Sequence, residues 1–311
     1  MRVVVIGSNG FIGTNLLQYL NSRHVKVVAC DNRKPKKEMK GVVYHQIIGE
    51  ESEFYSGIVQ EDDYIILLKW KGVPVSEIRN QRELFQNNIV DMMLLIDICV
   101  ERKVKKIFFA SSGGAVYGNK NIFPISEQEE TQPISEYGIQ KLMIEDYLRF
   151  ISRTSKIPTV CLRIANPYGP YQQPFNGQGI IATFLASGLL GKNVEIWGNG
   201  NCLRDYLYIG DLCECIYRCL LLDIEEGVYN VGSGVGTSIL EICEIISAML
   251  GIELHQTLKP AYGVQVKNNV LDCSKIKEKI DWECEITMDE GISRMLESWD
   301  GIGFSGKPDV R

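Results

Sequence analysis

Lys141 stands four residues after Tyr137, and of fourteen tyrosines this one alone is followed by a lysine at that spacing. Four residues make one helical turn, so a helix through this stretch sets the phenol and the ammonium on one face. Ser135, just ahead, is suited to cap such a helix. A cation beside a phenol stabilises the phenolate and lowers its pKa toward working pH, which fits tyrosine for proton transfer. The lysine can also hydrogen-bond a ribose and so hold a nicotinamide ring. By itself the pair equally suits a surface aromatic beside a cation, so the rest of the chain must decide. Histidine offers no competing general base: His24, His45 and His255 are the only three, and none has a catalytic context.

A second group of residues points to a dinucleotide. Val3-Val4-Val5-Ile6 runs into Gly7-Ser8-Asn9-Gly10-Phe11-Ile12-Gly13, a hydrophobic strand entering Gly-x-x-Gly-x-x-Gly. Glycines let the backbone turn tightly and approach a pyrophosphate, and the helix that follows presents free N–H groups and the positive end of its dipole. After a second apolar run, Val25 to Cys30, comes Asp31 with Asn32 beside it. An acidic residue at the tip of that strand accepts hydrogen bonds from the adenosine ribose hydroxyls. The expected cofactor residues are therefore Gly7, Asn9, Gly10, Phe11, Ile12, Gly13, Asp31 and Asn32, together with Lys141. Asp31 favours NAD, because its carboxylate would repel a 2′-phosphate. Arg33 and Lys34 follow closely and soften that preference, so NADP stays open. Without a ligand the same glycines would make only a tight strand-to-helix turn.

Bulk composition narrows partners and compartment. At 311 residues the chain can bury a large core, as one large domain or two lobes. It is 45% hydrophobic and 23% charged, ordinary for a soluble globular protein. A net charge of −6 argues against nucleic-acid binding, and the basic stretch Lys34 to Lys40 better suits a solvated loop. No signal peptide precedes the first strand, and the apolar run Met92 to Val100 is broken by Asp97 and too short to cross a bilayer. The ten cysteines are scattered without a Cys-x-x-Cys, and Cys213, Cys215 and Cys219 share an apolar helical stretch. Buried free thiols in a reducing cytoplasm fit this better than disulfides or zinc, so neither a metal site nor membrane insertion is expected.

The residues that could do chemistry must be positioned by alternating elements. Apolar runs predict strands at 2–6, 25–30, 42–46, 64–68, 106–110 and 158–163, with helices near 11–22, 82–102 and 136–153 between several of them. Strand–helix alternation implies a parallel sheet covered on both faces. The expected fold is α/β, a Rossmann-type doubly wound parallel sheet with a smaller α+β C-terminal substrate lobe. From Asn166 the texture turns loop-rich, with a helix near 180–190 and a turn cluster at Gly198 to Asn201. Residues 206–223 return to strand-then-helix, and helices near 238–250 and 287–298 follow. These shifts divide the chain into a dinucleotide-binding domain, 1–165 rejoined by 206–232, and a substrate lobe of 166–205 with 233–311.

Taken in order, Gly7-x-x-Gly10-x-x-Gly13, Asp31 and Tyr137-x-x-x-Lys141 resemble an extended short-chain dehydrogenase/reductase, in particular the nucleotide-sugar epimerase/dehydratase branch. The likeness runs from residue 1 to about 300. It takes in Lys105 to Ser112, Val116-Tyr117-Gly118, Arg163 to Pro170, and Gly198-Asn199-Gly200 leading to Arg204-Asp205-Tyr206. This resemblance implies that Tyr137 is the acid–base residue and Lys141 its partner. It also implies that Asn166 meets the substrate diphosphate or base, and that Arg204 clamps the diphosphate as a planar multi-donor cation. Asn88 would stand on the substrate side, supporting the helix that faces the site. Read alone, Arg204 also suits an ion pair with Asp205, and Asn166 a turn before Pro167. The substrate implied is a nucleotide-diphosphate sugar, and the assembly a homodimer through the helices near 82–102 and 136–153.

Departures from the family pattern bear on the chemistry. A Ser or Thr is usual three residues before the Val of Val-Tyr-Gly, to bond the reacting sugar oxygen; here that residue is Gly113, and Ser112 is the nearest hydroxyl. Ser112 either takes the catalytic role or caps local backbone at a strand end. The usual small residues after the fourth strand are replaced by Lys69-Trp70-Lys71-Gly72, which reshape the pocket, bind phosphate or, for Trp70, simply pack. A late Arg-x-Gly-Asp gives way to Lys259-Pro260-Ala261-Tyr262-Gly263, leaving the nucleotide open. A 4,6-dehydratase of this family usually carries Asp-Glu where Gly114-Ala115 stands, which disfavours that class. The resemblance then favours a UDP-hexose 4-epimerase, in which the C4 hydride is removed and returned through a 4-keto sugar. A 4-ketoreductase of a dTDP, GDP or UDP 4-keto-6-deoxy sugar is the alternative, and a catalytically silent dinucleotide sensor stands behind both.

Overall fold

Val3, Val4, Val5 and Ile6 are wholly buried in β1 (Arg2–Ile6), as a β-branched run without polar alternation requires when both faces of a sheet are covered. The computed structural model describes residues 1–35, 38–72, 81–260 and 266–302. From β1 the chain continues as α1 (Phe11–Ser22), β2 (Lys26–Asp31), β3 (Val42–Gln46), α2 (Glu51–Ile58) and β4 (Tyr64–Leu67). Then come α3 (Gln81–Phe85), a π turn over Gln86–Val90, α4 (Asp91–Glu101), β5 (Lys106–Ser112), the one-turn α5 (Gly113–Val116), α6 (Glu136–Ser155) and β6 (Thr159–Ile164). The remainder is β7 (Asn166–Tyr168), α7 (Ile180–Leu189), β8 (Val194–Trp197), β9 (Arg204–Tyr208), α8 (Ile209–Leu221) and β10 (Gly227–Val231). It closes with β11 (Gly236–Thr237), α9 (Ile239–Leu250), β12 (Gln256–Lys259), α10 (Ser274–Ile280) and α11 (Met288–Ile302).

Seven strands form one sheet in the order β10-β6-β5-β4-β1-β2-β3, every pairing parallel. The expected doubly wound fold is the one observed. Strand periodicity sorts the core onto two faces: Val3 and Val5 pack with Leu16 and Leu20 of α1 and Ile216 of α8, while Val4 and Ile6 pack with Leu95 of α4 and Ile144 and Leu148 of α6. The order reverses between β1 and β4, and ligands bind in the crevice such a reversal opens beyond the strand ends. Two small sheets, β11-β9-β7 and β12-β8, stand outside the main one. Within 206–232, β10 is hydrogen-bonded to β6 and α8 packs on α1, whereas β9 belongs to the three-stranded sheet.

Two differences from the expected elements bear on the site. β5 runs on to Ser112, two residues beyond its apolar stretch, and so brings that hydroxyl to the crevice. The long helix expected over 82–102 is interrupted by the π turn at 86–90, and Asn88 sits inside it. Such single wide turns aim a side chain where a regular helix would not.

Candidate active site

The glycine turn has the form of a cradle. Gly7 takes φ +87°, and a Cβ there would lie 2.5 Å from the Lys69 backbone N, where the chain leaving β4 crosses. At Gly13 a Cβ would lie 2.5 Å from the carbonyl oxygens of Gly7 and Ser8, so only glycine lets α1 close onto the turn. Gly10 is the N-cap of α1 and no side chain caps the helix, which leaves its first-turn N–H groups at Phe11, Ile12 and Gly13 facing the cavity they line. At the end of β2, Asp31 is only 4% exposed. Its carboxylate accepts from the Asn9 N–H (2.9 Å), the Arg33 N–H (2.9 Å) and Arg33 Nε (3.2 Å). A carboxylate has about four acceptor positions, so a ribose hydroxyl still finds one. An uncapped helix end, a cradle that a Cβ would fill and an acid at the second strand's tip fit a dinucleotide. Three expected cofactor residues fall outside the cavity lining, Asp31 at its edge among them. Asn9 binds the Arg33 carbonyl (2.6 Å) and secures the turn, and Asn32 is exposed, its carbonyl accepting from Gln46.

Tyr137 and Lys141 lie in the first two turns of α6, which starts where Ser135 accepts from the Gly138 N–H at 3.2 Å. Ser112 hydrogen-bonds the Tyr137 phenol, which brings together the three expected catalytic residues. Lys141, 4% exposed, donates to the Ala110 carbonyl at 2.7 Å and lies 3.7 Å above the Trp70 ring and 5.6 Å from the Tyr137 ring centre. The expectation that Lys141 lowers the phenol's pKa is corrected. Burial pushes Tyr137 up to about 12, with the Ser112 hydrogen bond opposing, because the ammonium is turned to the carbonyl and the indole rather than to the phenol oxygen. Burial also pushes Lys141 down to about 7, against the pull of Glu145 one turn further on.

Why Gly113 has no hydroxyl is visible in its surroundings. A Cβ there would lie 2.5 Å from Leu271 Cδ1 and 3.1 Å from the Arg163 carbonyl, on packed interior rather than on the cavity. Beneath Lys141, Ser111 bonds Glu145, and Glu145 pairs with Arg163 at 2.7 Å; both partners of this ion pair are almost wholly buried. Sequence reasoning passed over Glu145, although its place four residues after Lys141 was a signal. Asn88 does not line the cavity, so its place among the substrate-binding residues is corrected, while its support of the helix facing the site agrees with what was expected. Its amide takes the Lys71 N–H (2.8 Å) and donates to the Lys71 carbonyl (2.8 Å) and Gln140 Oε1 (2.9 Å), so it ties the loop after β4 to α6.

At the far end of the same cavity, about 800 Å³ in volume, stand Asn166 and Arg204. Asn166 donates to the Asp205 carbonyl at 2.8 Å. The Arg204 guanidinium is held by the carbonyls of Leu203 (2.9 Å), Lys267 (2.9 Å) and Val266 (2.5 Å). An ion pair of Arg204 with Asp205 is not formed, because that buried carboxylate accepts from Ser233, Gly234 and Leu271 instead. Lys69 bonds Glu51 (2.7 Å), so its charge is met inside the protein, and Trp70 both packs and lines the cavity. Lys259 pairs with Glu195 at 3.5 Å, whereas Ala261, Tyr262 and Gly263 lie outside the described residues. Among the described residues no helix is long and apolar enough to cross a membrane.

A parallel sheet with a glycine turn at its switch point, and a serine–tyrosine–lysine group in the same cavity, define a dinucleotide-dependent enzyme of the extended short-chain dehydrogenase/reductase type. Residues 3–232 match the NAD dependent epimerase/dehydratase family, and the chain belongs to that family. It is 30% identical over 307 residues to a putative UDP-glucose 4-epimerase of Methanocaldococcus jannaschii, covering 94% of this chain and 97% of that protein. It is 29% identical over 308 residues to a dTDP-4-dehydro-6-deoxyglucose reductase of Escherichia coli, covering 95% and 96%. The UDP-glucose 4-epimerase of Thermus thermophilus, solved in complex with NAD, matches with a TM-score of 0.89 at 27% identity over 97% of this chain and 99% of that one. The protein is an enzyme and its cofactor is NAD, which sets aside the catalytically silent sensor.

Proposed function

We propose that the protein is a UDP-hexose 4-epimerase working through a 4-keto sugar. The observation that carries this reading is the Ser112–Tyr137–Lys141 group set between the glycine turn and Asn166 with Arg204 in one cavity. When bound, NAD supplies the acceptor and donor of the C4 hydride. Tyr137 exchanges the proton on sugar O4, and Ser112, bonded to that phenol, stands in for the hydroxyl absent at Gly113. Tyr137 must be a phenolate to take the O4 proton as the hydride leaves, and Lys141, 5.6 Å from that ring's centre, lends it positive charge until proton and hydride are returned. Arg204, fixed by three carbonyls, keeps N–H donors for the diphosphate, and Asn166 meets the substrate beside it. In this reading residues 166–205 and 233–311 are the substrate lobe, and 1–165 with 206–232 the dinucleotide domain.

The same reading makes the protein a homodimer of the cytoplasm. Val90, Leu94, Ile139, Met143 and Phe150 leave apolar side chains exposed on and beside α4 and α6, which supports pairing of those helices. Free cysteines throughout the described residues support a reducing compartment. The reductase relative favours a second reading, in which the same groups act once, from NAD(P)H, on a 4-keto-6-deoxy sugar nucleotide. Purified protein decides between them. Tightly retained NAD with interconversion of UDP-glucose and UDP-galactose supports the epimerase. Stoichiometric NAD(P)H oxidation by a 4-keto-6-deoxy sugar nucleotide supports the reductase, and neither activity would refute both.

A further inference from the structure

Lys141 is a nearly fully buried ammonium, and among the described residues no carboxylate lies within 4 Å of its Nζ. The charged and titratable groups facing it are few. On its own helix are Tyr137 and Glu145, and the Glu145 charge is already met by Arg163 from β6 at 2.7 Å. From the loop after β4, Lys69 is held by Glu51, and Lys71 Nζ stands 3.9 Å from Glu83. Besides the neutral Ala110 carbonyl at 2.7 Å, what faces the ammonium is the flat of the Trp70 ring at 3.7 Å, closer than either the Phe109 or the Tyr137 ring. Indole presents the most negative face of any side chain, and its pull on a cation grows as water is excluded.

We propose that Trp70 is a positioning residue whose ring face serves as the counter-charge of Lys141, keeping that lysine protonated and aimed beside Tyr137. The proposal rests on the reading that Tyr137 and Lys141 are the working proton-transfer pair. The same ring meets Tyr137 edge-to-face, with centres 6.0 Å apart, so one side chain sets the spacing of both. Asn88 fixes that spacing from behind. It is hydrogen-bonded to both backbone groups of Lys71, next to Trp70, and to the side chain of Gln140, next to Lys141. The π turn that carries Asn88 therefore pins the indole over the ammonium.

The test reads Lys141 itself. Protein labelled with 13C at lysine Cε is titrated by NMR, and the Lys141 resonance is assigned by its loss in Lys141→Met. Trp70→Phe keeps a weaker π face and Trp70→Leu keeps apolar bulk without one. The Lys141 pKa should therefore fall in the order wild type, Trp70→Phe, Trp70→Leu, with Leu lower than wild type by about one pH unit. An unchanged pKa in Trp70→Leu, or a higher one, overturns the proposal. Should Trp70→Leu not fold, biosynthetic fluorotryptophans keep the ring's shape while draining its π density. The Lys141 pKa should then step down with each added fluorine, and a flat series overturns the proposal equally. Because no turnover is measured, failure here is distinct from failure of the epimerase assay.

Discussion

Gly113→Ser restores a hydroxyl three residues before Val116, and the geometry says that it lands in the wrong place. A Cβ at this position would lie 2.5 and 3.0 Å from the two Cδ atoms of Leu271 and 3.1 Å from the Arg163 carbonyl. Leu271 is fully buried against Val116, Tyr117 and Ile125, and its N–H is bonded to Asp205 at 3.2 Å, so it has little room to retreat. Overpacking of this kind costs about 1–3 kcal/mol. For a chain of this length that is a fall in Tm of roughly 1–2 °C for each kcal/mol. The added hydroxyl points at methyl groups and not at Tyr137, so turnover should not rise. A double-mutant cycle isolates the cause: Leu271→Ala alone costs about 2–5 kcal/mol. In that background, however, Gly113→Ser should cost at least about 1 kcal/mol less than it does in wild type, with the Arg163 carbonyl preventing full recovery. Urea unfolding and turnover of the four proteins measure both quantities. A Gly113→Ser enzyme that is as stable as wild type and faster would refute the reasoning.

Three further outcomes are expected. Ser112→Ala removes the hydroxyl bonded to Tyr137 and should lower kcat about 10- to 100-fold with KM little changed; near-normal kcat would return Ser112 to a structural role. Asp31→Ala should weaken NAD binding about tenfold or more and narrow the preference for NAD over NADP, as read by calorimetric titration of each. An unchanged ratio would mean that Asp31 does not meet the ribose. Lys141→Met should be more stable than wild type at pH 6, with the advantage fading toward pH 10. Lys141 titrates near 7 in the folded protein and at its ordinary 10.5 when unfolded, so between those values the unfolded chain binds more protons and wild-type stability rises with pH. Thermal unfolding across that range checks it, and a gap that widens with pH would contradict it.

The parallel sheet was legible because β1, β2, β4 and β5 are buried on both faces and so read as unbroken apolar runs. Tyr137, Lys141 and the glycine turn were legible because their spacing is local: one helical turn, and one strand-to-helix turn. What stayed hidden depends on distant residues meeting. Nothing near Gly113 announces Leu271, and nothing near Asn88 announces its three partners, from Lys71 and Gln140, which keep it off the substrate. The direction of the Tyr137 shift failed for the same reason. Sequence spacing sets the ammonium near the ring, but a β5 carbonyl and an indole from the loop after β4 decide where it points.

The central claim is that this site removes a hydride from sugar C4 and returns it to the same carbon. UDP-galactose carrying deuterium at C4 tests it directly, with the product followed by NMR and mass spectrometry. The predicted result is UDP-glucose with the deuterium still on C4. Deuterium lost from the sugar to free cofactor would contradict it, and so would a failure to form UDP-glucose at all.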